Sequence, residues 1–216
     1  MVKRVILSGL MLLVPALASA TTITIDNFEN GNLNAWTSNH GQIVADPLNA
    51  SNHVVHFTSR ISGGDIWTTQ SFAPSGNDWW LSWDYLGSPA GPQTGGAIGL
   101  DPDQQNAGPG EHWLGAASNT CGNCADMIMT GDGTWHHYVA HMTRTGGTPN
   151  MPAGPVFFKL EDWDQADLVA GNAFFDNIVL TDVDPNGNPS AVTPEPASLT
   201  LLATGLVSLI RRRSRA

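Results

Sequence analysis

Between Thr21 and about Thr193 the apolar residues come only in short runs, each closed by a cluster of turn-forming residues such as "SGG", "PSGND", "GSPAGPQTGG", "DPDQQNAGPG" and "TGGTPNMPAGP". Glycine and proline at that spacing interrupt any helix before it can propagate, and they suit strands joined by tight turns. No run in this region has helical periodicity. Several have period two: Trp79, Leu81, Trp83 and Tyr85 fall on one side of an extended chain, and Trp80, Ser82 and Asp84 on the other. The predicted strands are "TTITIDNF", "QIVAD", "HVVHFTS", "DIWTTQSF", "WWLSWDYLG", "GAIGLD", "HWLGA", "DMIMT", "WHHYVAHMT", "PVFFKLEDW" and "AFFDNIVLTDV". So many short strands bury their apolar faces best in an all-β, antiparallel two-sheet sandwich of the jelly-roll kind.

The two ends have a different chemistry. "MVKRVILSGLMLLVPALASA" combines a basic start, an apolar run and small residues in an A-x-A pattern, which predicts a secretory signal peptide over 1–20, cut after Ala20. Eighteen acids then face only Arg60, Arg144 and Lys159 before the tail, giving residues 21–193 a net charge of −15 with His neutral. Nucleic acid is excluded as a partner, because phosphate binding needs clustered Lys and Arg. One sandwich domain is expected over 21–181, followed by a Pro/Gly/Asn linker over 182–193 whose "DVDPNG" lacks the closing Glu of a calcium loop.

Residues 194–216 carry Pro194, Glu195 and Pro196, then an uncharged stretch from Ala197 to Ile210, then Arg211, Arg212, Arg213 and Arg215. Fourteen helical residues reach about 21 Å against a hydrocarbon core of about 30 Å, and the arginines would hold the cytoplasmic side. The segment therefore suits transient insertion in the inner membrane. It resembles the PEP-CTERM sorting signal of Gram-negative bacteria. That resemblance implies an exosortase-type processing protease as partner, cleavage near Pro-Glu-Pro, and delivery to the cell surface or an exopolysaccharide matrix; the alternative is a plain C-terminal anchor.

"IDNFENGNLNAW" (25–36) and "FFDNIVLTDV" (174–183) are similar to the opening and closing strands of carbohydrate-binding-module-like, galactose-binding-like sandwiches. In those families an acid after the first strand and an Asp in the last contribute to a structural Ca²⁺ site, which implies Glu29 and Asp176 as ligands here, with Asp26 a further contributor. By strand parity Glu29 and Asp176 both point toward apolar neighbours, and three bases are too few to pair every acid. Backbone amides could satisfy the same carboxylates without metal.

Other motifs are less productive. His53 and His56 face opposite sides of a strand, and His137 and His141 lie about 13 Å apart along one, so neither pair chelates zinc. Cys121 and Cys124 sit in a Gly/Asn loop, and in an oxidising compartment they are expected to close a small disulfide. Glu161, Asp162 and Asp164 cluster without the alternation of a sandwich glycosidase, and no nucleophile or metalloprotease motif occurs. Trp80, Trp113 and Trp163 could stack on sugar rings, or could be core residues. The sequence thus points to an exported, non-catalytic sandwich associating with extracellular polysaccharide. A glycan-active enzyme and a purely structural matrix or adhesion protein are the alternatives.

Overall fold

The computed structural model describes residues 21–37, 41–57, 66–73, 76–87, 95–105, 110–117, 125–144, 154–161 and 173–186, all within one compact unit, Ala20–Asn188. The signal segment, Cys121, Cys124, Trp163 and the sorting residues Pro194, Glu195, Pro196, Arg211, Arg212 and Arg213 lie outside the described residues. Each predicted run contributes a strand: β1 (Thr22–Asp26), β2 (Gly41–Asp46), β3 (Asn49–Phe57), β4 (Ile66–Trp67), β5 (Asp78–Gly87), β6 (Ala97–Asp101), β7 (His112–Ala117), β8 (Ala125–Met129), β9 (His136–Thr143), β10 (Phe157–Glu161) and β11 (Ala173–Thr181).

They form two sheets. One runs β2-β3-β11-β5-β9, with β1 also paired to β11, and the other β4-β10-β6-β7-β8. β11 shares one flank between two partners: β3 pairs with its first residues, Ala173 to Phe175, and β1 with Ile178 to Thr181. The alternation in β5 places Trp79, Leu81, Trp83 and Tyr85 inward, all essentially inaccessible. They meet Ile98, Leu100, Leu114, Phe158 and Leu160 of the second sheet in one apolar core, which is the expected jelly-roll sandwich. Trp83 sits in the middle, stacked on Tyr138 at 5.7 Å, with its indole N–H donating to Sδ of Met129 at 3.3 Å.

Two local features depart from the sequence reading. β7 and β8 pair in parallel, although all other strand pairs are antiparallel. β11 carries a bulge between Asp176 and Val179, with Asn177 at φ 49°. Because the bulge adds a residue, Phe175 and Ile178 both face the core while Asp176 turns to the outer side opposite Asp84. Simple parity across this segment therefore assigns Asp176 to the wrong face.

Candidate functional site

The outer face of the five-stranded sheet is built by register. Lys159 of β10 stands opposite Trp67 of β4 on one side and Gly99 of β6 on the other, and Gly99 stands opposite Trp113 of β7. Directly opposed residues share a face, so Trp67, Lys159, Gly99 and Trp113 form one row across four strands. Ile66, Ile98, Leu100, Phe158 and Leu160, at the alternate positions, are in the core.

Lys159 is only 1% exposed. A buried ammonium is tolerated only with compensating partners. Here Nζ forms an ion pair with Glu111 and lies 3.9 Å from the ring centroid of Trp113 and 5.9 Å from that of Trp67. Each desolvated cation–π contact of this kind contributes about 2 kcal/mol. Gly99 makes the arrangement possible: a Cβ there would sit 2.5 Å from the His112 carbonyl oxygen and 2.9 Å from Cε3 of Trp113. The absent side chain lets the indole lie across the strand.

Trp67 and Trp113 remain partly exposed. Nε1 of Trp67 and Oδ2 of Asp101, which follows Gly99 on the same side of β6, are buried and have no hydrogen-bond partner. The other oxygen of Asp101 accepts from the Asp103 amide at 2.9 Å. This face therefore combines aromatic surface with one donor and one acceptor left unused. Of these residues the sequence reading singled out only Trp113. The available signal was Lys159, a lone cation inside the apolar run "VFFKL".

The expected metal ligands do not form one cage. Asp26 is buried and committed to the fold: its carboxylate accepts from the Phe28 amide at 2.8 Å and from Nε1 of Trp36 at 2.9 Å, fixing the turn that carries Phe28 and Trp36 into the core. Glu29 is exposed, contrary to the parity reading, because β1 ends at Asp26 and the chain turns with Phe28 at φ 55°. It accepts from the His53 amide at 3.1 Å. Asp176 is buried, accepting from Asn52 Nδ2 at 2.9 Å and the Asn177 amide at 2.7 Å.

Burial pushes the Asp176 carboxyl above its ordinary value of 3.8; bonds from Asn52 and Asn177 oppose the shift, and the charges of Asp84 and Glu29 add to it. Glu29 and Asp176 thus lie within each other's field and suit a hard cation in charge and ligand type, while Asp26 does not join them. Among the described residues no three His, Cys, Asp or Glu side chains are grouped to hold a metal ion.

Trp80 is 6% exposed and stacked on His141 at 4.6 Å, so it offers no free ring face. Its even position in β5 places it on the outer side, where the opposing residue of β9 covers it. The histidines are hydrogen-bonded to separate acids: His137 to Asp84 at 2.7 Å, His141 to Asp78 at 3.0 Å, His136 to Asp132 at 3.0 Å and His112 to Asp126 at 2.6 Å.

Beyond this unit, the tail has a recognisable sequence. Residues 192–215 match the PEP-CTERM protein-sorting motif. The PEP-CTERM motif marks an exported, surface-sorted protein. No curated protein matches the chain by sequence. Solved structures similar to it include the CBM22-1 xylan-binding domain from Paenibacillus barcinonensis Xyn10C, with 12% identity, TM-score 0.49, and coverage of 76% of this chain and 96% of that one. The CBM22-1-CBM22-2 tandem domain from the same protein has 14% identity and TM-score 0.48 over 72% of this chain, which spans 48% of the tandem's length. CBM27-1 of Caldicellulosiruptor saccharolyticus, in complex with mannohexaose, has 14% identity and TM-score 0.45 over 74% of this chain and 97% of that one.

Proposed function

We propose that the protein is a non-catalytic, surface-delivered module that associates with extracellular polysaccharide through the outer face of its five-stranded sheet. The observation that carries this reading is the Trp67–Lys159–Gly99–Trp113 row with its two unused polar atoms. Two partly exposed indoles in one row match the apolar face of a sugar ring, and the buried unpaired donor and acceptor lie on the same side of the sheet. The Lys159–Glu111 pair holds the ammonium beside the indoles. The test is retardation of the full chain in gels containing neutral polysaccharides, with product analysis on the same ligands. Retardation without new reducing ends, abolished in Trp113→Ala, is expected. Release of oligosaccharides would favour the enzyme reading instead.

Delivery to the surface is proposed to run through an exosortase-type protease acting near Pro194, Glu195 and Pro196, with Arg211, Arg212 and Arg213 holding the segment in the inner membrane until cleavage. Replacing the three arginines with Gln is expected to reduce processing and surface delivery in a Gram-negative host, read by fractionation and tail-specific immunoblot. Unchanged delivery would contradict the role given to these residues.

Glu29 and Asp176 are further proposed to share a structural Ca²⁺. Because the folded-state pKa of Asp176 is raised, its favourable contribution is present below the ordinary carboxylate range and is lost as pH rises through the raised value. At neutral pH without metal, the ionised group therefore costs stability. Asp176→Asn is expected to raise the melting temperature in chelator and lower it in excess Ca²⁺. Bound Ca²⁺ at a hundredfold its dissociation constant adds about 2.7 kcal/mol. An Asp176→Asn effect of the same sign and size in both conditions would remove the metal.

A further inference from the structure

At one end of the inner face of the six-stranded sheet, buried donors accumulate without an acceptor. Trp79 and Met142 are directly opposed on β5 and β9, and both face the core. Arg144 follows Met142 by two residues and so continues on the same side, diagonal to Trp79; its backbone N–H donates to the Asn77 carbonyl at 2.9 Å, extending the pairing past the strand end. Nε1 of Trp79 and both Nε and Nη2 of Arg144 are buried and have no hydrogen-bond partner.

Those two Arg144 nitrogens have a particular meaning. Nε and Nη2 make the side-on edge of the guanidinium, the edge that receives both oxygens of a carboxylate in parallel bonds. Among the described residues the only other Lys or Arg is Lys159, which pairs with Glu111, and no ion pair joins Arg144 to a described acid. Leaving a buried charged donor unsatisfied costs more than a neutral one. The third donor, the indole N–H of Trp79, calls for one more acceptor, which a second lone pair of the same carboxylate or a hydroxyl or ring oxygen beside it can supply.

We propose that Trp79 and Arg144 form a binding site for a sugar acid. The Arg144 edge takes the carboxylate, and the Trp79 N–H takes a neighbouring hydroxyl or ring oxygen. Arg144 is half-buried, so part of its side chain reaches the surface. The site is separate from the Trp113 row on the other sheet and does not depend on polysaccharide binding there.

The experiment titrates the full chain with glucuronate, using glucose as the neutral counterpart and acetate as the carboxylate without further oxygens, by calorimetry and tryptophan fluorescence. Saturable binding of glucuronate is expected, with glucose silent and acetate at least tenfold weaker. Arg144→Lys retains the charge and loses the fork, so it should weaken glucuronate at least tenfold. Trp79→Phe removes the N–H together with the five-membered ring and provides a second readout should the arginine variant fail to fold; compared at matched folded fraction, it should weaken glucuronate while leaving acetate unchanged. Trp113→Ala should leave glucuronate binding intact, which separates failure of this site from failure of the polysaccharide reading. Absence of saturation with glucuronate, an equal response to glucose or acetate, or full affinity in both site variants would overturn the proposal.

Discussion

Trp83→Ala is expected to destabilise the domain by about 3–5 kcal/mol, the usual cost of emptying a large aromatic site in a well-packed core. The indole is wholly buried, stacks on Tyr138, and donates to Met129 Sδ. Packing on its far edge is equally close: a Cβ added to Gly115 would lie 2.7 Å from Cζ2 of Trp83. The surroundings cannot collapse into the vacated volume without moving both sheets. Against a typical total of about 5–15 kcal/mol, this loss would leave much of the population unfolded at moderate denaturant. Urea unfolding followed by circular dichroism measures it. A loss below about 1 kcal/mol would mean that the core is not organised around this residue.

The strands were legible because period two survives in them without interruption. β5 reads from Trp79 to Tyr85 as it folds, and both Trp residues that it turns inward are in the core. Legibility failed where one residue changes the count. The bulge at Asn177 moved Asp176 to the outer face, and the end of β1 at Asp26 freed Glu29 from strand parity. Asp26, read only as an auxiliary ligand, instead anchors the turn that brings Phe28 and Trp36 into the core. That role depends on an indole ten residues further along, which local pattern does not reveal.

The candidate surface was less legible still. Trp67, Gly99, Trp113 and Lys159 come from four strands and become a row only through register. Their sequence separation hides them, although a lone lysine amid apolar residues marks a position that needs compensation. The parallel pairing of β7 with β8 has no compositional signature, since both strands would read the same in either direction.

The sorting tail presented the opposite case. Its three parts are contiguous, so residues 192–215 could be recognised without any tertiary information.

The polysaccharide reading rests on Trp113, which stays partly exposed beside Gly99 and the Lys159 ammonium. Trimming the indole removes apolar surface worth about 1.5–3 kcal/mol when fully covered by a ligand, while the strand beneath is held by its backbone ladder. Gly99→Ala should act on the same surface from below by displacing the ring, without deleting it. The most direct measurement is the affinity of the full chain for its best neutral polysaccharide, compared among wild type, Trp113→Ala and Gly99→Ala at matched folded fraction. The account predicts saturable binding by the wild type and a loss of at least tenfold, about 1.4 kcal/mol, in each variant. Wild-type affinity retained by both variants, or no binding by the wild type across xylan, mannan and β-glucan, would contradict it.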